Sequence, residues 1–268
     1  MADQRLPTYF ISHGGGPWPW LMDDMPGDWS ELHRSLRTLP ADVGVTPRAV
    51  LVISGHWETP ELTVQTNPQP PMLYDYGGFP EFTYHVQYPA PGSPEVAARV
   101  AELLSGAGIA VAEDAERGYD HGVFSPFVVV YPDADVPILQ LSIIKGYDPE
   151  AHLAAGRALA PLRDEGVLIV GSGFTYHNLR QFGPSAAVPS KQFDDWLTAA
   201  LVDVAPAERT SRLLEWETAP SARIAHPAED HLVPLMVAVG AAESDEGTRI
   251  YHEDDFMGGI ASSSYRFG

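Results

Sequence analysis

Four short apolar runs constrain the fold of this 268-residue chain more than any other feature. Their residues are mainly aliphatic or β-branched, and turn-forming residues bound each run. Because both faces of each run are apolar, we expect four strands buried on both sides within a sheet. The runs span residues 8–12, 49–55, 136–143 and 167–171.

Helical patterns lie between and after these runs. Apolar residues recur at helical spacing at about 29–39, 94–107, 150–165, 191–203 and 229–242. Alternating strands and helices favour an α/β fold in which helices cover both faces of a central, mostly parallel or mixed sheet. No internal repeat and no solvated linker divides the chain, so we predict a single domain over residues 1–268.

Charge and composition exclude several classes of function. The chain has 16 Lys and Arg against 36 Asp and Glu, and its formal net charge of −20 repels nucleic acid and anionic membranes. The sequence shows neither a membrane-spanning apolar run nor a signal-peptide pattern, so we expect a cytoplasmic protein. Because the chain has no cysteine, any metal must be held by His, Asp or Glu.

Three histidines follow predicted strands. His13 and His56 come directly after the first two strands, and His177 lies a few residues beyond the fourth. Ligands of open α/β sheets bind outside the carboxyl ends of the strands, which is where these side chains would meet. A single histidine of this kind is more often a hydrogen-bonded loop residue. Three with the same placement predict a common site.

Two further histidines occur in suggestive contexts. His121 follows Asp120 at a predicted turn, where a neutral imidazole can hydrogen-bond a substrate or simply cap the turn. His231 falls near the start of the last helical pattern, on its apolar face and close to the carboxylates of Glu229 and Asp230. An inward imidazole beside a carboxylate is a reasonable metal ligand, so we include His231 in the predicted site.

Other polar features carry no functional signal. His33 and His152 fall in amphipathic patterns, which predicts surface or boundary positions, and the acidic stretches 243–246 and 253–255 are predicted to be solvated loops. The glycine-rich segment 13–17 lacks the residues and spacing of a phosphate loop. It could form an oxyanion hole in an esterase, but the chain has no GxSxG nucleophile elbow.

A series of segments in order along the chain resembles the class III extradiol ring-cleaving dioxygenases. The resemblance extends in register from about Pro7 to Ser263 and is to the DOPA 4,5-dioxygenase-like branch, related to the catalytic subunit of protocatechuate 4,5-dioxygenase. The segments that carry it are SHGGGP, SGHWE, YDYGGFP, YPAPGSP, DHGVFSP, YPDADVPILQLSI, GSGFTYHNLR and HPAEDHLVPLMVAVGAA.

The resemblance implies a metal-dependent activity. In that family, residues matching His13, His56 and His231 hold a divalent non-haem metal, Fe(II) in active dioxygenases and often Zn(II) in purified members. The residue matching His177 is either a further metal ligand or the acid–base group, and the one matching His121 contacts substrate or oxygen. The implied reaction is extradiol cleavage of a catechol by O2 to a semialdehyde, with a small aromatic diol and O2 as the partners.

The implied chemistry suggests roles for pocket residues. A base must take a proton from the catechol and later return one, and an imidazole titrates close to neutrality. We predict His177 for this role, with His121 second. The aromatic residues Trp57, Tyr74 and Phe79 are predicted to wall a pocket for an apolar ring, although ordinary loop packing explains them equally well.

Two other functions stay open at this point. A Memo-like protein of the same fold would bind zinc as an interaction module without oxygenase activity. A zinc hydrolase would use the same histidines to lower the pKa of a bound water. The presence of all five histidines together with the aromatic residues of the predicted pocket favours the dioxygenase over the interaction module.

Overall fold

A single mixed β-sheet organises the chain in the computed structural model, which describes residues 5–268. The strands are β1 (Thr8–Ser12), β2 (Ala49–Thr59), β3 (Leu62–Gln65), β4 (Val111–Asp114), β5 (Ile138–Ile144), β6 (Val167–Gly173), β7 (Gly247–Phe256) and β8 (Ile260–Phe267). They pair in the order β4-β3-β5-β2-β6-β1-β8-β7. The four central strands, β5, β2, β6 and β1, run parallel, and β3 and β8 join them antiparallel on either side.

Helices cover both faces of the sheet. They are α1 (Ser30–Val43), α2 (Pro94–Gly106), α3 (His121–Val130), α4 (Pro149–Leu159), α5 (Ala187–Leu201), α6 (Pro206–Leu214), α7 (Ala222–Ala225) and α8 (Val233–Ala241). The predicted α/β architecture is therefore confirmed. Within residues 5–268, no helix is both long enough and apolar enough to cross a bilayer.

Alternate side chains of the central strands enter two separate apolar cores. In β2, Leu51 and Ile53 pack with α4 and α8 on one face, whereas Val50 and Val52 pack with α1 and α3 on the other. Because successive residues of a strand point to opposite faces, a strand covered on both sides must be apolar at every position. This arrangement explains the four apolar runs of the sequence.

The carboxy-terminal hairpin corrects one prediction. The acidic residues 253–255 were expected in a solvated loop, but they belong to β7 at the edge of the sheet. An edge strand with one side near water needs no continuous apolar run, so polar residues give little indication of it. The last long helix also begins later than predicted, at Val233, so His231 lies in the turn before it.

His152 is a buried structural residue, which corrects the expectation of a surface position. Its Nδ1 donates to the carbonyl of Asp148 at 2.7 Å, and its Nε2 accepts the backbone N–H of Ile144 at 3.0 Å. Burial lowers the pKa of His152 below its ordinary value of 6.5. His226 is also fully buried, with Nε2 3.1 Å from the carbonyl of Thr175, and burial lowers its pKa to about 3.

Acid should destabilise the fold through these two buried histidines. Their folded-state pKa values are depressed, so below about pH 6.5 the unfolded chain binds more protons than the folded chain. The free energy of unfolding should then fall by up to about 1.4 kcal/mol per pH unit for each residue. Urea unfolding measured from neutral to mildly acidic pH should show a shallower decline in His226→Phe and an unchanged one in the control His85→Phe, because His85 is exposed. Identical declines in wild type and His226→Phe would contradict the assignment.

Candidate metal and substrate site

The five predicted histidines meet at the carboxyl edge of the central strands. His13 follows β1 directly, and His56 lies in β2 where the register with β5 shifts. His121 is the first residue of α3, His177 lies four residues beyond β6, and His231 lies two residues before α8. Strand order accounts for this convergence, since β2, β6 and β1 are neighbours.

Two of the other rings direct their Nε2 atoms at Nε2 of His56. Nε2 of His56 lies 3.1 Å from Nε2 of His13 and 3.1 Å from Nε2 of His231. Two nitrogen ligands, each about 2.1 Å from one ion and separated by an angle of about 90–109°, lie about 3.0–3.4 Å apart. The observed spacing therefore fits three imidazoles that share a divalent ion.

The ionisation state of these rings suits metal binding. Burial lowers the pKa of His13 and of His231 well below the ordinary 6.5, and neighbouring imidazoles lower both further. The pKa of His56 falls to about 3, again mainly through burial. A neutral imidazole keeps the lone pair that a metal ligand must donate.

Potential ligand atoms at this edge form two groups. Within residues 5–268, all atoms of each group lie within 4.8 Å of one another, and the groups are His13, His56 and His121, and His177, Asp230 and His231. The contact between His56 and His231 joins them. His121 lies against His56 with ring centroids 3.9 Å apart, and His177 stacks on His231 with centroids 3.4 Å apart. His121 and His177 thus each pack against one of the three rings whose Nε2 atoms face one another through His56.

The glycine run after His13 makes a tight turn against the site. Gly14 has φ +79°, and a Cβ there would lie 2.2 Å from the indole Nε1 of Trp18. That indole donates to the carbonyl of His13 at 2.8 Å, so the close contact fixes the backbone of the histidine. Ser172 of β6 places its Oγ 3.1 Å from Nδ1 of His13 and supports the ring from behind. Such supporting contacts orient a metal-binding imidazole.

Asp75 is a functional candidate that the sequence analysis missed. Its carboxylate accepts the Nδ1 proton of His121 at 2.7 Å and the backbone N–H of His121 at 3.0 Å. The other oxygen lies 3.5 Å from Nδ1 of His56. Through these contacts, one carboxylate orients two rings of the site. Its place in the YDYGG segment is the only sequence signal for Asp75, and the aromatic residues there are the more obvious candidates for a pocket wall.

Asp230 occupies a similar position on the opposite side. One carboxylate oxygen lies 2.9 Å from Nδ1 of His231, and the other lies 3.4 Å from Nδ1 of His177. The carboxylate therefore faces the Nδ1 side of His231, whereas Nε2 of that ring faces His56. A carboxylate at Nδ1 holds a proton there and leaves Nε2 free for a metal.

The histidines open into a cavity of about 600 Å³. Both carboxylates and the glycines after His13 form part of its wall. The rest of the wall is largely apolar and aromatic, and consists of Met25, Tyr76, Phe79, Phe174, Leu179, Phe182 and Met257. Phe79 thus lies where the sequence analysis expected it.

Trp57 and Tyr74 lie outside the cavity wall, which corrects their predicted role. Trp57 follows His56 along β2, and strand geometry turns successive side chains to opposite faces. Its ring packs against Arg117, whose guanidinium carbon is 4.9 Å from the ring centroid. The ring of Tyr74 lies 6.2 Å from that of Tyr76, measured between centroids, and Tyr76 lines the cavity in its place.

Comparison with known proteins identifies relatives that match nearly the whole chain. The 4,5-DOPA dioxygenase extradiol of Beta vulgaris is 40% identical and covers 99% of this chain and 97% of its own length. The protein of that name from Escherichia coli K12 is 36% identical, with coverage of 100% and 97%. A crystal structure of an uncharacterized Escherichia coli K12 protein superposes with a TM-score of 0.78 at 32% identity, covering 98% of this chain and 100% of that one.

A family model gives the same result over nearly the whole chain. The model described as the catalytic LigB subunit of aromatic ring-opening dioxygenase matches residues 7–268. The match includes all five histidines of the site. The chain therefore belongs to the family of catalytic LigB subunits of extradiol aromatic ring-opening dioxygenases, oxidoreductases that incorporate oxygen into the ring they open.

Proposed function

We propose that the protein opens the ring of a substituted catechol with O2 at a metal held by His13, His56 and His231. The observation that carries this proposal is the convergence of the three Nε2 atoms, with both contacts of His56 at 3.1 Å. The relatives named 4,5-DOPA dioxygenase extradiol support a DOPA-like catechol as one candidate substrate. Extradiol cleavage yields a semialdehyde.

The ligand set suits a reaction in which a diol and O2 bind side by side. A divalent metal, Fe(II) in the active form, would supply adjacent open positions for both and a route for electrons between them. The three neutral imidazoles occupy one side of the site and bring no negative charge. The catecholate would then be the anionic ligand. A metal at this site would therefore become reactive towards O2 only after the substrate has bound.

We infer that His177 handles the protons of the reaction. Its ring stacks on His231, so it lies beside the metal ligands and lines the cavity. Asp230, 3.4 Å from its Nδ1, can hold that nitrogen protonated while Nε2 exchanges a proton with the diol. We assign His177 as the general acid–base group, with the alternative that it is a fourth metal ligand.

We infer that His121 contacts the substrate or oxygen. Asp75 accepts its Nδ1 proton, which leaves Nε2 as an acceptor on the cavity side.

The ring of Phe174 packs steeply against that of His13, with the centroids 4.9 Å apart, and adds an apolar wall for an aromatic ring. Because the site draws on residues from 13 to 231, we propose that the whole chain acts as one catalytic domain.

Metal exchange tests the proposal directly. Protein loaded with Fe(II) under anaerobic conditions should take up O2 and form a yellow product from at least one of DOPA, caffeate, protocatechuate and the uncharged methyl ester of dihydrocaffeate. The Zn(II) form should be inert, because zinc has no accessible redox change. Oxygen uptake and visible absorbance are measured on the same samples. Failure of the Fe(II) form with every catechol would contradict the proposal and favour a zinc-binding interaction module, whereas hydrolytic activity of the Zn(II) form would favour a hydrolase.

A further inference from the structure

Solvent exposure separates a buried floor of the cavity, which carries histidines, from a more exposed mouth, which carries apolar side chains and the carboxylates of Asp75 and Asp230. His13 and His231 on the floor are each 1% exposed, whereas Leu179 at the mouth is 72% exposed. Three partly exposed side chains, Met25, Phe182 and Met257, share the mouth with Leu179. These four come from three distant parts of the chain, so the apolar character of the mouth does not stem from one loop.

The charges around this cavity disfavour an anionic substrate. Apart from histidines, the charged groups that line it within residues 5–268 are the carboxylates of Asp75 and Asp230. The chain as a whole carries a formal charge of −20. A carboxylate on the substrate would lose water against the apolar mouth and would approach a negative field. Arg117 donates to the backbone carbonyl of His56 at 3.4 Å, but it is paired with Asp120 at 2.8 Å and lies outside the wall. Arg180 follows Leu179 in the sequence but is exposed and also lies outside the wall.

We propose that the preferred substrate is a catechol with an uncharged, apolar ring substituent, and that Met25, Leu179, Phe182 and Met257 determine this preference. The inference rests on the proposed function and narrows its substrate class. The catechol oxygens lie at the histidines, and the substituent extends to the mouth. Thioether side chains are flexible and polarizable, so the two methionines can fit substituents of different shape.

A matched pair of compounds tests the preference. Dihydrocaffeate and its methyl ester share the same catechol and chain, and differ in one negative charge. With the Fe(II) form, kcat/KM for the ester should exceed that for the acid by about 10-fold or more, the effect of leaving one charge unpaired. Added salt should raise kcat/KM for the acid and leave that for the ester unchanged, because salt screens long-range repulsion. Equal values, or a preference for the acid, would overturn the inference.

An exposed substitution tests the role of the mouth. Leu179→Arg should raise the acid-to-ester ratio by about 10-fold, because it supplies the missing cation. Leu179 is 72% exposed, so the fold should tolerate the change. Val188→Arg is the matched control, since Val188 is 66% exposed, lies outside the wall and gains the same charge. If both variants change the ratio equally, net charge governs selection and the mouth does not, which overturns the role of these residues.

Binding separates failure of this inference from failure of the proposed function. If no catechol is turned over, the proposed function fails, but calorimetric titration of the Zn(II) form with the same pair still measures the preference. Tighter binding of the ester supports the inference, and equal or weaker binding overturns it. A preference for the acid that is lost in Arg180→Gln would identify Arg180 as a carboxylate-binding residue instead.

Discussion

Replacing His56 by alanine is expected to remove bound metal and ring-opening activity together. Its Nε2 is the one that lies 3.1 Å from those of both His13 and His231, so the variant loses the shared member of the set. Loss of a residue that only supports a metal ligand weakens metal binding by about 10–100-fold. Loss of the ligand itself should weaken metal binding by more. The metal content should fall from about one ion per chain to near zero.

Elemental analysis after metal supplementation and gel filtration measures this effect. His13→Ala and His231→Ala should behave in the same way. His85→Ala is the matched control, because the side chain of this exposed histidine pairs with Glu81 in its own short helical turn and does not line the cavity. Full retention of metal by all three ligand variants would refute the assigned set.

His177→Ala should keep most of its metal while turnover falls by about 10² to 10⁴, the range typical of a lost acid–base group. His177 lies four residues beyond β6 and stacks against a ligand, and its nitrogens do not share the 3.1 Å contacts of the other three rings. It can therefore reach the bound diol without being needed to retain the ion. His177→Gln should be almost as impaired, because an amide hydrogen-bonds but does not exchange a proton near neutrality.

Metal content and oxygen uptake measured on one preparation decide between the two roles of His177. Metal that stays while activity falls supports the acid–base assignment. If metal and activity disappear together, His177 is a ligand, and the proton-handling group must be sought at His121. In that case His121→Ala should retain metal and lose turnover.

The central strands could be predicted because their environment is uniform. The run 8–12 coincides with β1, and the other three runs overlap β2, β5 and β6, since burial on both faces demands apolar residues throughout. The outer strands, β3, β4, β7 and β8, escaped prediction because they are not apolar throughout. The SSS stretch of β8 pairs with buried polar groups such as Ser12 and Thr175, so its burial leaves no apolar signature.

The candidate site was predictable as a set of histidines, but their supporting contacts were not. Five rings could be selected because they follow strands or match a family. Asp230 could be noted as the neighbour of His231, but its approach to His177 and that of Asp75 to His121 join residues far apart in the chain, and no sequence spacing encodes such a contact. Trp57 could not be removed from the predicted pocket by strand alternation, because the apolar run ends at residue 55 whereas β2 continues to Thr59.

The wide spacing of the ligands along the chain has a consequence for biosynthesis. Strand β1 carries His13, yet it is held between β6 and β8, which the ribosome makes much later. The third proposed ligand, His231, emerges when most of the chain has been synthesised. A nascent chain that ends before His231 has no complete set of three imidazoles, and one that ends before β8 lacks a strand that pairs with β1. The complete set of imidazoles therefore forms only in the nearly finished chain, so the proposed metal would bind to a folded, preformed site.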